Sequence, residues 1–493
     1  MKFLFFPSFL CLLFLSMPSS GISIRGDSMS TSKHQSNRKL GKKSKDSSGD
    51  GDDVDYELDH RINYSGNPLS PSDNAAHYTP GEFDDLSHIW IGWPRYQFSA
   101  KLRPTADVVL EMIEALCTCR GEEGCTKIVV QVPSDIQADA KTQIEAANLA
   151  SCVDSYDTNH RDDLWIRDYG PVFTKNNTND ETILVEFNFD FWGAPALATN
   201  DFVRMENPLD ALMYANNGEL NGFTVVGTHL IGEGGNREFN GKGTLMMNRE
   251  VETQRNLKQS WNLERSEDEY KRLFGVSNIV WIDGISTLDR LGEYPIEAYN
   301  ENGDVVYVYN WGTGGHIDEV ARFISADTIL VAQVPEEEVE ADTTGLAATE
   351  KKILDSVYKQ LEGAVDEEGD PFGVIALPSS PIHILELSED DDTYYWFEPL
   401  KSFQDTLGEG GAVYHVGATS YMNFVITNKV VLIPKYYVEG DAVFGSEEIY
   451  KADASVKGIF ETLMPDRTIV AINPLSINFG GGGMHCITAH QVA

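Results

Sequence analysis

The sequence predicts a mixed α/β protein built as one large domain, and three observations carry that reading. From about Tyr78 onward, short apolar runs alternate with stretches of helical spacing. No low-complexity break interrupts the chain after residue 60. Its 493 residues, 41% hydrophobic with 20 tyrosines, are enough for a sizeable buried core.

Before that domain, residues 1–21 carry one lysine, an apolar run from Phe3 to Met17, and small residues from Ser19 to Gly21. This is the layout of a secretory signal, and the run is short and poorly flanked for a membrane span. Residues 22–77 are expected to form a disordered linker, most plainly in "STSKHQSNRKLGKKSKDSSGDGDDVD". The folded domain is then 78–493. No other segment is long and apolar enough to cross a bilayer, so the mature chain is expected in the secretory pathway or outside the cell, off the membrane.

Within the domain, "TADVVLEMIEALCTC" has its apolar residues at helical spacing. The strand-like "KIVVQV" follows, and then a second helix over "DIQADAKTQIEAANLASC". Further strands are predicted at "ETILVEFNF", "FTVVGTHLI", "VVYVYN", "TILVAQV", "GVIALP", "AVYHV", "FVITNKVVLIP" and "TIVAINP". Helices are predicted at "DEYKRLFG" and at "TEKKILDSVYKQLEG", whose last glycine suits a C-cap. The acidic "VPEEEVEADTTGLAATEKK" reads as a solvated loop leading into a helix.

A formal charge of −39 excludes a general nucleic-acid binder, because phosphate would be repelled. The same field keeps the chain soluble and attracts cations. Cys11 leaves with the signal, so five cysteines remain and at least one thiol is free within the chain. Cys117, Cys119, Cys125 and Cys152 could form two disulfides in any of three pairings, although Cys117 and Cys119 are too close along one element to pair easily. A zinc reading of "CTCRGEEGC" lacks the usual two-residue spacers. Asn63 and Asn176 begin glycosylation sequons.

Five polar, Gly-bearing motifs adjoin the strand-like runs: "WIRDYGP" (165–171), "GEGGNRE" (232–238), "GTGGHIDE" (312–319), "GATSYMNF" (417–424) and "NFGGGGMHC" (478–486). Their recurrence suggests repeated units, each delivering one loop to a shared centre. Gly170 and Pro171 are read as stopping a strand just after Asp168. His316 and Asp318, two apart, would share a face of an extended chain. By the same geometry His485 should point away from Cys486, which leaves the remote His316 as the better base. Each residue alone has a structural explanation: Asp168 as a turn former, His316 as a buried bonded histidine, Asp318 as the acidic start of a helix, Cys486 as core.

Taken together they form a set with a specific use. A thiolate is a nucleophile and a histidine shuttles protons. Two fixed carboxylates would raise the cysteine pKa, which suits a substrate that brings its own positive charge. A guanidinium offers a planar fork of N–H donors that carboxylates grip in bidentate fashion.

"DDLWIRDYGPVF", "GEGGNREFNGKGTLM", "TGGHIDEVARFI", "SYMNFVITNKVVLIP" and "GGGGMHCIT", with "PGEFDDLSHIWIGWPR" near the start, resemble the agmatine deiminase family, also described as the Porphyromonas-type peptidylarginine deiminase family. The resemblance spans about Tyr78 to His490. It implies a pentein fold: a five-bladed α/β propeller of pseudo-symmetric ββαβ units around a central site. It also implies Cys486 as nucleophile, His316 as general acid/base, and Asp168 and Asp318 as guanidinium holders. Trp165, Glu233, Gly234, Asn423 and Gly483 would line the substrate pocket.

The implied reaction is hydrolysis of agmatine to N-carbamoylputrescine and ammonia through a thiouronium on Cys486, with no metal and no organic cofactor. The secretory signal departs from the intracellular habit of agmatine deiminases and raises an arginine-containing peptide as alternative substrate. A third reading is a propeller that binds without catalysis, which the complete catalytic set argues against. A Cys-His amidase or peptidase is disfavoured by the paired aspartates. The oligomeric state is open.

Overall fold

The computed structural model describes residues 77–159, 164–190, 192–193, 223–256, 261–290, 295–300, 302–382, 384–398, 400–408, 411–441 and 443–493. The expected signal, the linker and the Asn63 sequon lie outside them, except that His77 already pairs as strand.

One three-strand core recurs in six sheets. A leading strand runs antiparallel to a middle strand, and the middle strand runs parallel to a third reached by a crossover. Val172–Asn176, Thr182–Asn188 and Thr224–Ile231 form one such set. Glu238–Phe239, Thr244–Asn248 and Asn278–Ile282 form the next. Ala321–Ser325, Thr328–Gln333 and Gly373–Pro378 repeat it, as do Val425–Ile426, Val430–Pro434 and Thr468–Ile472. A fifth set joins the ends of the domain: Thr488–Val492 is antiparallel to Leu86–Gly92, which is parallel to Lys127–Pro133. In the sixth sheet, Ile296–Tyr299 is antiparallel to Val305–Tyr309, which is parallel to Val413–Val416 across a crossover that encloses one of the other units.

Parallel neighbours require long connections, and four of the compact units supply them with described helices. Thr105–Leu116 buries Val108, Val109, Met112, Ile113 and Leu116 on one side. Leu263–Phe274 starts where the Asn262 side chain accepts the Arg265 N–H. Ala347–Glu362 packs through Leu354, Val357 and Leu361. Glu447–Leu463 is capped by Ser446, whose hydroxyl accepts the Ile449 N–H, and buries Ile449, Val456 and Phe460.

Several boundaries differ from expectation. "FVITNKVVLIP" is two antiparallel strands, because the polar Thr427–Lys429 segment turns the chain back on itself. The second helix stops at Ala146, as Asn148 adopts φ +60° and the chain resumes as a short 3-10 turn at Ala150–Cys152. Gly363 caps its helix at φ −95°, without using a glycine's conformational freedom. The acidic stretch forms the helix Glu336–Ala341, which buries none of its residues. Cys117 bonds Cys152 and Cys119 bonds Cys125, so the zinc reading fails: all four sulfurs are consumed. Cys486 is the free, buried thiol.

Candidate active site

Cys486 lies two residues before the C-terminal strand, at the end of the glycine run. The run is pinned from within, since the Asn478 amide donates to the Gly482 and Ala418 carbonyls. Gly481 has φ +103°, and a Cβ there would lie 1.7 Å from the Trp311 carbonyl oxygen. Only glycine lets the chain pass so close beneath Trp311. A narrow cavity opens beside the sulfur, lined by Trp165, Asp168, Trp192, Trp311, Gly312, Thr313, Gly480, Gly481 and Cys486.

His316 is delivered by a loop that Asp289 organises. The two Asp289 carboxylate oxygens accept from Thr313 N–H (2.6 Å), Thr313 hydroxyl (2.6 Å), Gly315 N–H (3.1 Å) and His316 N–H (2.7 Å). His316 then precedes the 3-10 turn Ile317–Glu319, so His316 and Asp318 are brought together by a helical turn and not by an extended chain. Asp168 likewise belongs to a single helical turn, Ile166–Tyr169, with strand beginning only at Val172. The Gly-Pro pair therefore ends a helical turn, not a strand.

These loops converge at Gly235. A Cβ on it would lie 2.4 Å from His316 Nδ1, 3.0 Å from Asp168 Oδ1 and 3.1 Å from Asp318 Oδ2. Asp168 accepts from Gly235 N–H at 3.0 Å and from Trp192 Nε1–H at 2.8 Å. Asp318 Oδ2 is 2.6 Å from His485 Nδ1 and 3.9 Å from Cys486 Sγ. Asn423 donates to Cys486 Sγ at 3.3 Å and to Glu319 at 2.8 Å.

Charge in this buried space is unevenly distributed. Burial pushes the His316 pKa down, but Asp168, Glu233 and Asp318 outweigh it and hold the group at about 9, so the ring is protonated at neutral pH. Burial lifts Asp168 to about 6 against the pull of His316. Burial also acts on Glu233, but Arg255 and His316 bring it to about 2. Asp318 is held below the ordinary aspartate range, where His485, His316 and Arg322 overcome burial. Glu319 goes the other way, lifted well up by burial with Asp318 and Asp289 beside it. Burial and then Asp318, Glu319 and Asp168 push the Cys486 thiol well above its usual value.

The residues singled out in the sequence are thus mostly gathered in one place. Cys486, His316, Asp168, Asp318, Trp165 and Asn423 surround the sulfur or its cavity. Glu233 stands behind His316, its Oε2 3.5 Å from Nε2, and is paired with the buried Arg255. Gly234 lies elsewhere, against the Arg167 backbone, and the glycine facing the site is its neighbour Gly235. Gly483 packs on the Asn423 side chain.

Sequence reasoning missed Glu319, Asp289, Arg255, Trp192 and Trp311. Glu319 ends the motif "GTGGHIDE" and Trp311 immediately precedes it, so both could have been read from it. Asp289 and Arg255 act across long sequence separations and left no local signal. Among the described residues, two groups have the donor types for a metal, Asp318–Glu319–Cys486 and Glu82–His485–His490. The second is crowded by Arg167 and Arg322, which oppose a cation.

The sequence pattern of the Porphyromonas-type peptidyl-arginine deiminases matches residues 78–296 and 302–491, which is most of the chain. The protein belongs to that family. Its α/β fold is of the pentein type. Among curated relatives, a Streptomyces avermitilis protein named "Putative agmatine deiminase" is 25% identical over 84% of this chain and 96% of its own length. One of the same name from Streptococcus mutans is 26% identical over 84% and 95%. The solved agmatine deiminase of Enterococcus faecalis superposes with a TM-score of 0.63 at 21% identity, covering 86% of this chain and 98% of its own. At that identity the superposition speaks for the fold alone.

Proposed function

We propose that this family member is a guanidine deiminase that hydrolyses agmatine to N-carbamoylputrescine and ammonia. The observation that carries the reading is the convergence of His316, Asp168 and Asp318 on the point above Gly235, beside the buried Cys486 thiol. The names of the similar proteins support it.

The residues perform the reaction as follows. A bound guanidinium donates its N–H groups to Asp168 and Asp318. Its charge offsets the carboxylates that hold the Cys486 pKa up, and the thiol proton is released to solvent. The thiolate adds to the guanidinium carbon. Protonated His316 gives its proton to one amino group, the C–N bond breaks, and ammonia leaves a thiouronium on Cys486. Neutral His316 then takes one proton from water as its oxygen adds to the same carbon. The C–S bond breaks, the thiolate returns, and the ureido product leaves. The remaining proton departs with ammonia as ammonium. The tryptophans at Trp165, Trp192 and Trp311 restrict the cavity to a slender substrate.

The same reading extends to architecture and compartment. The five units with compact crossovers support closure into a five-bladed propeller around this centre, with residues 78–493 as one domain. The two disulfides support an oxidising compartment, reached through the leader in residues 1–21.

The test is ammonia and ureido-product release from agmatine, free arginine and an arginine-containing peptide, with Cys486→Ala as control. Agmatine turnover abolished in Cys486→Ala is expected. Peptide turnover in its place would make the protein a protein-modifying deiminase. No Cys486-dependent release from any of the three would overturn the proposal.

A further inference from the structure

Asp318 differs from the two carboxylates nearest it in what stands behind it. Asp168 accepts its hydrogen bonds from neutral donors, the Gly235 N–H and the Trp192 indole, while the protonated His316 stands 3.6 Å from its Oδ1 without bonding it. Glu319 has the Asn423 amide. Asp318 Oδ2 meets the Nδ1 of His485 at 2.6 Å, while its Oδ1 is buried with no hydrogen-bond partner among the described residues. On the far side, His485 Nε2 is 2.8 Å from Glu82 Oε2.

Glu82 is in turn fixed by two guanidinium groups, those of Arg167 and the fully buried Arg322, which also pairs with Glu238. His490 completes the surroundings. Its Nε2 faces the Ile426 carbonyl, so that nitrogen carries the proton, and its Nδ1 accepts from Arg167 at 2.6 Å. His485 therefore faces Asp318, Glu82, Arg167, Arg322 and His490, and it is completely buried.

Resting on the deiminase reading above, we infer that His485 is a positioning residue of the site, acting through Asp318: the Glu82–His485–Asp318 chain keeps this carboxylate ionised and turns its free oxygen to the substrate. The physical reason is a problem of like charges. Three carboxylates crowd one buried sulfur, and in low dielectric such a group tends to take up a proton. A neutral carboxyl at Asp318 would lose its attraction for a guanidinium. A hydrogen bond from an imidazole backed by a second carboxylate favours the charged form and fixes the plane of the group. The pKa directions agree, since Asp168 and Glu319 are raised and Asp318 is lowered. Burial, Arg167 and Arg322 draw the His485 pKa down, yet a carboxylate at each ring nitrogen calls for a proton at each contact. The chain thus has to be considered as one unit, and its ordering effect falls on Asp318.

A structural role alone would make His485 a staple between the C-terminal loop and the Glu82 segment. The two substitutions His485→Asn and His485→Gln separate the readings. Asparagine places its amide near the Nδ1 position and keeps the contact with Asp318. Glutamine reaches toward Nε2, keeping Glu82 and losing Asp318. The measurements are agmatine kinetics across pH, and the titration of Asp318 by 13C NMR on aspartate-labelled protein, with Asp318→Asn assigning the signal.

His485→Gln is expected to raise KM about tenfold with a smaller change in kcat. It should also move the Asp318 midpoint up by about one pH unit or more. His485→Asn should stay within about threefold of the parent in KM and leave the midpoint in place. Equal kinetics and an unmoved Asp318 in both, with only a fall in melting temperature, would overturn the inference. If the parent does not turn over agmatine, the reading of agmatine as substrate fails. The Asp318 titration still decides this one: a shift confined to His485→Gln supports it and no shift overturns it.

Discussion

The two faces of the catalytic loop are built from the same residue types and have opposite characters. Behind it, Glu82 is saturated with donors from Arg167, Arg322 and His485. In front, charged atoms are close but unbonded: His316 Nδ1 is 3.6 Å from Asp168 and Nε2 is 3.5 Å from Glu233. Neither ring nitrogen, nor Asp318 Oδ1, nor Glu233 Oε2 has a hydrogen-bond partner among the described residues. Buried polar atoms are ordinarily paired, so an unpaired cluster marks a place where something else supplies the bonds. A guanidinium brings five donors in one plane, the complement that the unpaired Asp318 oxygen calls for. The back face holds the fold; the front face is held unfulfilled by it.

That contrast can be broken at either face. Arg322 is completely buried, and Arg322→Met leaves Glu238 without its paired cation and Glu82 with Arg167 as its remaining guanidinium. Removing one partner from a buried ionic group costs about 3–5 kcal/mol, so denaturant unfolding should show a loss of that size. An unchanged unfolding midpoint would mean that the back face is not the fold's anchor.

On the front face, Asp168→Asn keeps shape and removes charge. It is expected to lower kcat/KM by about 2–5 kcal/mol with little change in unfolding. The pH profile sharpens the assignment. Asp168 must be ionised to hold a cation and titrates at about 6, while His316 must be protonated to release ammonia and titrates at about 9. Because kcat/KM reports the free enzyme, in which Cys486 is still a thiol, it should climb with pH as the thiol ionises, most steeply below about 6 where Asp168 is also protonated, and level off above about 9 as His316 loses its proton. The acid limb should be weakened in Asp168→Asn. A parent profile still rising above pH 9 would remove His316 from the role of acid.

Much of the front face was legible in the sequence because it is written in short motifs. Cys486, His316, Asp168 and Asp318 each stand within three residues of a glycine, and their chemistry is recognisable without coordinates. How they meet was not legible. Asp168 and His316 use helical turns where extended chain was expected, and Gly235, not Gly234, faces the site. The His316 loop depends on Asp289, which is 27 residues before His316 and fixes that loop by four hydrogen bonds. The back face was invisible for the same reason. Glu82 and His485 are 403 residues apart and meet only because the last strand pairs with Leu86–Gly92. The hairpin inside "FVITNKVVLIP" shows the local version: a polar segment of three residues, Thr427–Lys429, reads as part of one strand until the pairing of Val425 with Leu432 reveals the turn.

The most direct measurement is the mass of intact protein acid-quenched during agmatine turnover, followed by mapping of the modified residue. The account predicts an amidino adduct on Cys486 that has lost ammonia and that accumulates when attack by water is slowed. Turnover with Cys486 unmodified at every time, or an adduct on any other residue, would contradict it.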